Sequence, residues 1–258
     1  MLSLTLLAVP IIYGLGPSAK ASYDVQVDFK GYIPILGGQQ GEVGVVMKVA
    51  VEGLVPDAQG NPRAASEIVD FSLEYNGQKL PMSVENVREF FPRTTISLTP
   101  QGKVLKTDAP DAKLPFRLPA LDQKRFPDIT YLPIEFPSEG IEVGRAFSFK
   151  KRFGDSDAGY TVTPISISDA LVELEIRMTQ DYAVFEDSGG NVLSNEKDAV
   201  KRVSTKLEGS GKVVFDRSRG LVRDMDVKAT ALSKVVSLET KKESERKLDT
   251  RLVVKLKP

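Results

Sequence analysis

From Val203 to Ala231 apolar and polar residues alternate. Val203, Thr205, Leu207, Val213 and Phe215 share one parity, and Lys206, Glu208 and Lys212 the other. After Asp216-Arg217-Ser218-Arg219-Gly220 the alternation resumes, with Leu221, Met225, Val227, Ala229 and Ala231 set against Val222, Asp224, Asp226, Lys228 and Thr230. Successive strand side chains point to opposite faces, so the pattern predicts a long hairpin with one apolar and one polar face. Asp216 can accept bonds from the turn backbone and Gly220 tolerates positive φ, which places the reversal. Such a hairpin cannot bury its apolar face alone and requires a larger sheet and a cover.

The same period recurs along most of the chain. Tyr23 to Phe29, Val43 to Val51, Val69 to Tyr75, Tyr160 to Ile167, Val172 to Met178 and Leu252 to Leu256 all read as strands,. Phe147 and Phe149 begin another, and Ile96, Leu98 and Val104 mark two short ones around the turn Pro100-Gln101-Gly102. Asn76-Gly77 is a strong turn signal. Tyr182 to Phe185 prolongs the strand before it, Asp187 to Asp198 reads as a polar loop or short helix, and Ser237 to Lys247 as a charged tail or loop. Between Pro81 and Pro92 the period changes: Val84, Val87 and Phe91 recur at three-to-four spacing after a candidate cap at Ser83, predicting one short helix,. Gln101-Gly102-Lys103-Val104 and Ser210-Gly211-Lys212-Val213 raise the possibility of a duplication, although one continuous sheet would show much the same pattern,.

Residues 108–140 differ in kind. Eight of the 16 prolines are Pro110, Pro115, Pro119, Pro127, Pro133 and Pro137 within it and, just outside, Pro92 and Pro100, which disfavours regular ladders,. Leu114, Phe116, Leu118, Leu121, Phe126, Ile129, Tyr131, Leu132, Ile134 and Phe136 make the stretch too apolar for a solvated linker, so a strap packed on the sheet is expected,. Residues 1–21 read as a signal peptide, with an apolar run from Leu2 to Leu15, a break at Gly16-Pro17 and small residues in Ala19-Lys20-Ala21,. The run is shorter than a bilayer span, and no Lys or Arg precedes it; an uncleaved anchor or a buried helix is the alternative. The expected organisation is thus a signal peptide cleaved after Ala21, a β half at 22–107 with the short helix, the strap at 108–140, and an antiparallel β half at 141–258.

Composition narrows the chemistry. Lys+Arg and Asp+Glu both number 35, so no net charge draws the chain to nucleic acid,. His and Cys are absent, which removes the commonest general base, the commonest transition-metal ligand, thiol nucleophiles and disulfides,. An exported chain without Cys suits a bacterial envelope, and a periplasmic or extracellular location is expected. Asp155-Ser156-Asp157-Ala158-Gly159 opens like a calcium loop, but its twelfth position is Ser166 where a Glu is needed, and an Asp-rich turn is the simpler reading,. Asp224 with Asp226, and Glu173 with Glu175, are spaced for paired-carboxylate chemistry, yet each pair lies on a polar face where solvation explains it. Lys150-Lys151-Arg152 and Lys241-Lys242 read as solvated basic faces, lacking aromatic interleaving. Gly37-Gly38 and Gly189-Gly190 lack a following helix and make no phosphate loop. No catalytic residue, metal site or cofactor is therefore assigned, and a hydrolase working without His or Cys is the minor reading.

Phe136-Pro137, then Ile141-Glu142-Val143-Gly144 and Phe147, resembles the entry to the second half of uncharacterised exported bacterial β proteins, with Phe where Trp is usual. Gly211 to Asp216 followed by Gly220 is similar to their hairpin. The resemblance implies a curved antiparallel sheet akin to the lipoprotein-carrier half-barrel of the LolA/LolB type, with a helix or strap against the concave side and no catalytic residues to carry over. The expected role is a non-enzymatic exported envelope protein that binds a lipid or other amphiphile. The alternative is a structural or protein-interaction module of the envelope.

Overall fold

The computed structural model describes residues 8–33, 39–109, 125–153, 156–189, 192–193 and 195–258. Expected features at 1–7, Gly37-Gly38, Leu114 to Leu121, Asp155 and Gly190 lie outside them. The alternating segments form thirteen strands of one antiparallel sheet: β1 (Lys20–Ile33), β2 (Gln39–Leu54), β3 (Arg63–Tyr75), β4 (Gln78–Leu80), β5 (Thr94–Leu98), β6 (Val104–Asp108), β7 (Phe147–Phe153), β8 (Ser156–Ile167), β9 (Leu171–Glu186), β10 (Val192–Leu193), β11 (Lys201–Asp216), β12 (Leu221–Ser237) and β13 (Glu243–Leu256). Their order is β6-β5-β3-β2-β1-β13-β12-β11-β9-β8-β7, with β4 on β3 and β10 on β9. The sheet is open, with β6 and β7 at its opposite ends. The two blocks of strands on either side of the strap join through β1 and β13, from Tyr23↔Leu256 to Gly31↔Leu248.

This order explains the strap. The chain leaves the sheet at β6 and re-enters at β7, the far edge, so the connection must traverse the sheet. Crossing the apolar face demands apolar side chains, and Tyr131, Leu132 and Ile134 are 0% exposed there,. Phe136 meets Phe215 of β11 at 5.2 Å between ring centroids, and Tyr131 stacks on Tyr23 of β1 at 6.1 Å,. A short helix, α2 (Phe126–Thr130), lies within the strap, with Pro127 in its first turn, where a missing N–H costs nothing,. The other helix, α1 (Val84–Phe90), is capped as expected: the Asn86 amide donates to Ser83 Oγ, and Asn86 Oδ1 accepts from the Ser83 amide,.

Three of the four register shifts between the described strands correct the simple alternation. Lys48 faces Asp70 but Val49 faces Ile68, so Val69 bulges out and is 39% exposed while Ile68 turns into the core,. Val214 faces Asp224 but Phe215 faces Val222, which moves Val222 from the polar parity to the buried face. Pro164 faces Leu174 but Ser166 faces Glu173, leaving Ile165 exposed at the proline, which has no N–H for the ladder,. Two further expectations change. Glu243 to Lys247 belong to β13 rather than to a loop, because Glu243 to Lys247 pair with Val236 to Leu232. The two Gly-Lys-Val segments are not equivalent: Gly102 sits in the β5–β6 turn at φ +95, whereas Gly211 lies mid-strand between Ile176 and Val227.

Residues 8–19 are part of the packed structure. The Val9 and Ile141 backbones exchange hydrogen bonds, the Tyr13 amide donates to Pro100 O, and the Gly14 amide donates to Gly220 O at 2.7 Å. Ile11, Tyr13 and Leu15 are buried, and Tyr13 packs edge-on to Phe215 at 5.2 Å while its hydroxyl donates to Ile134 O at 3.0 Å. Backbone approaches backbone at Gly14 and Gly220, so a Cβ on either would collide with main-chain atoms,. Ala21, the expected cleavage position, lies inside β1 opposite Val51. Among the described residues no helix is long and apolar enough to cross a membrane.

Candidate binding cavity

Where the strap leaves the sheet incompletely covered, a carbon-lined cavity of about 70 Å³ remains. Its floor is the apolar parity of four neighbouring strands: Ile176 and Met178 of β9, Leu207 of β11, Met225, Val227 and Ala229 of β12, and Leu252 of β13. Its cover comes from Asp128, Ile129 and Pro133 of the strap and Phe153 of β7. Within this lining Ile129, Met178, Val227, Ala229 and Thr250 are half-buried. The polar groups at the wall are Asp128, Gln180, Thr250 and the Tyr160 phenol. Gln180 Nε2 donates to Ser156 Oγ at 2.6 Å, and burial pushes the Tyr160 phenol well above its ordinary value,.

A charged cluster fastens the cover. Arg125 Nε lies 2.8 Å from Asp128 Oδ2, and Lys151 Nζ lies 3.7 Å from Asp128 Oδ1. Lys151 Nζ also donates to Leu132 O at 2.8 Å, tying edge strand β7 to the strap. Lys151 is 3% exposed, and its burial lowers its pKa, opposed by the nearby charges of Asp128 and Glu135. Glu135, half-buried, is raised by desolvation. The Arg125 guanidinium also covers the Phe153 ring at 4.7 Å,.

This corrects the reading of Lys150-Lys151-Arg152 as a solvated face. Lys150 and Arg152 are exposed, but Lys151 shares parity with Phe147, Phe149 and Phe153 and points into the covered side. That parity was the available signal for Lys151. Asp128 had a weaker one, as a lone acid in an apolar run, and only the tertiary fold sets it beside Lys151. The remaining candidates do not converge. Asp226 accepts two bonds from Arg251, at 2.7 and 3.0 Å, which hold its carboxyl below the usual range; Asp224 pairs with Arg223 at 2.7 Å. Glu173 and Glu175 are exposed on the polar face of β9. Ser156, Asp157, Ala158 and Gly159 lie in β8, and Asp157 pairs with Arg152 at 3.2 Å, so a strand occupies the place of a cation loop. Lys241 and Lys242 are exposed at the β12–β13 turn. Among the described residues no three His, Cys, Asp or Glu are grouped to hold a metal.

No family profile and no curated protein matches the chain. Among solved structures it is similar to lipovitellin, in a structure describing that protein's lipid–protein interactions, with a TM-score of 0.54 at 12% identity. The match covers 95% of this chain and 25% of the lipovitellin chain. At that identity the likeness is one of fold: a large open antiparallel sheet.

Proposed function

We propose that this is a non-enzymatic amphiphile-binding protein whose ligand enters between the strap and the floor formed by β9, β11, β12 and β13. The observation that carries the reading is the carbon-lined cavity under the cover, whose lining is half-buried at Ile129, Met178, Val227 and Ala229. Apolar pockets with a few convergent polar groups are the usual form of such sites. The similarity to lipovitellin, a protein described by its lipid interactions, agrees with it. At about 70 Å³ the closed cavity falls far short of the roughly 300 Å³ at the lower end for drug-sized ligands, so uptake of a long chain requires the strap to move,. An exported, envelope location belongs to the same proposal and is tested by cell fractionation.

Solvent extraction of the protein purified without detergent, followed by mass spectrometry, should recover a stoichiometric amphiphile, and the stripped protein should take up a fluorescent single-chain probe. A second reading, a structural or interaction module of the envelope, is favoured by the tight seating of Tyr131, Leu132 and Ile134. A stable protein partner recovered with neither extracted amphiphile nor probe uptake would establish that module instead.

A further inference from the structure

Resting on the amphiphile reading, the polar end of the ligand can be specified. The cavity wall carries one buried carboxylate, Asp128, which is 5% exposed. Its Oδ2 is engaged by Arg125, but its Oδ1 accepts no hydrogen bond; Lys151 Nζ, at 3.7 Å, is beyond hydrogen-bond reach. A buried acceptor without a donor is costly, and a ligand that supplies the donor removes the cost. Lys151 donates to Leu132 O, and Arg125 lies against Asp128 Oδ2 and the Phe153 ring, with its Nε making no hydrogen bond. A ligand hydroxyl can donate to Asp128 Oδ1 and accept from Arg125 Nε, whereas a carboxylate brings a second negative charge beside Asp128 and no donor for Oδ1.

We propose that the cavity seats the uncharged, hydrogen-bond-donating end of a single-chain amphiphile, such as a long-chain alcohol, with Asp128 Oδ1 as the acceptor. The chain then runs over Met225, Val227 and Ala229 and leaves between Ile129 and Met178. A fatty acid or a phospholipid is discriminated against by charge, and a plain alkane by the missing donor.

The test is a calorimetric titration of the full chain, stripped of any bound amphiphile, with dodecanol, dodecyl methyl ether and dodecanoate. A hydrogen bond to a charged acceptor predicts that dodecanol binds at least about tenfold tighter than the ether, which keeps the oxygen but not the donor. Dodecanoate should bind more weakly than either. In the Asp128→Asn chain the acceptor is neutral and Arg125 and Lys151 lose their counter-ion, so dodecanoate should gain at least about tenfold. A cooperative thermal transition of the Asp128→Asn chain like the parent's separates this gain from adsorption of dodecanoate to unfolded chain. Equal affinities for all three chains, or a preference for dodecanoate in the unaltered protein, would overturn the proposal while leaving the amphiphile reading standing. Binding of none would remove that reading and this one together. The ligand series on the unaltered chain decides the matter even if the Asp128→Asn chain does not fold.

Discussion

Tyr13 gives the sharpest test of whether residues 8–19 belong to the folded protein. Its ring is buried against Phe136 and Phe215, at 5.9 and 5.2 Å between centroids, and its hydroxyl is satisfied by Ile134 O. Truncating a buried aromatic side chain to alanine costs about 3–5 kcal/mol, through lost transfer energy and the cavity left behind. For a chain of this size that corresponds to a fall in Tm of roughly 6–20 °C. The neighbouring Ile12 is 59% exposed, so Ile12→Ala should change stability by no more than about 0.5 kcal/mol,. Urea and thermal denaturation of the two variants and the parent, with intact-mass confirmation of each N-terminus, make the comparison. A Tyr13→Ala chain within about 1 kcal/mol of its parent, or indistinguishable from Ile12→Ala, would refute the seating of this segment. The same logic bears on processing: a chain beginning at Ser22 would lack Ile11, Tyr13 and Leu15 together with the hydrogen bonds of Tyr13 and Gly14, and should unfold at markedly lower urea than the full chain.

Other outcomes follow from the same geometry. Tyr13→Phe removes only the bond to Ile134 O and should cost about 0.5–1.5 kcal/mol by urea denaturation,. Lys151→Met leaves Leu132 O without its donor and Asp128 with one cation fewer; relief of the buried charge offsets part of this, and a net loss of about 1–3 kcal/mol is expected,. The bulge in β3 predicts that Ile68→Ala costs about 2–5 kcal/mol while Val69→Ala stays within about 0.5, the reverse of what strict alternation with Phe71 and Leu73 would give,. Burial raises the phenols of Tyr13, Tyr23, Tyr131 and Tyr160, so above the ordinary value of about 10 the unfolded chain loses protons that the folded chain keeps,. Stability is therefore intact below that pH and falls as pH rises past it, and ultraviolet tyrosinate titration should show these four phenols ionising only with unfolding.

Alternation alone determined that this chain is antiparallel sheet. Val203 to Phe215 and Tyr23 to Phe29 state their buried faces outright, because side-chain direction in a strand depends only on parity. The capped helix at Val84–Phe90 and the packing of the strap were legible for similarly local reasons: a Ser-Asn cap, and too many apolar residues among prolines to stay in water. What parity cannot encode is an extra residue in a strand, so Val69, Val222 and Ile165 took their faces from the bulges of the folded sheet. Nor does local pattern state which strands are neighbours. The order that puts β6 and β7 at opposite edges makes the strap cross the apolar face, and that crossing sets Asp128 and Arg125 of the strap beside Lys151 of the far edge strand. The apolar run before Gly16 is equally ambiguous in isolation, since a hydrophobic leader and a core segment share one composition; the close approach of Gly14 to Gly220 and of Tyr13 to Phe215, both some two hundred residues away in sequence, exists only in the tertiary structure.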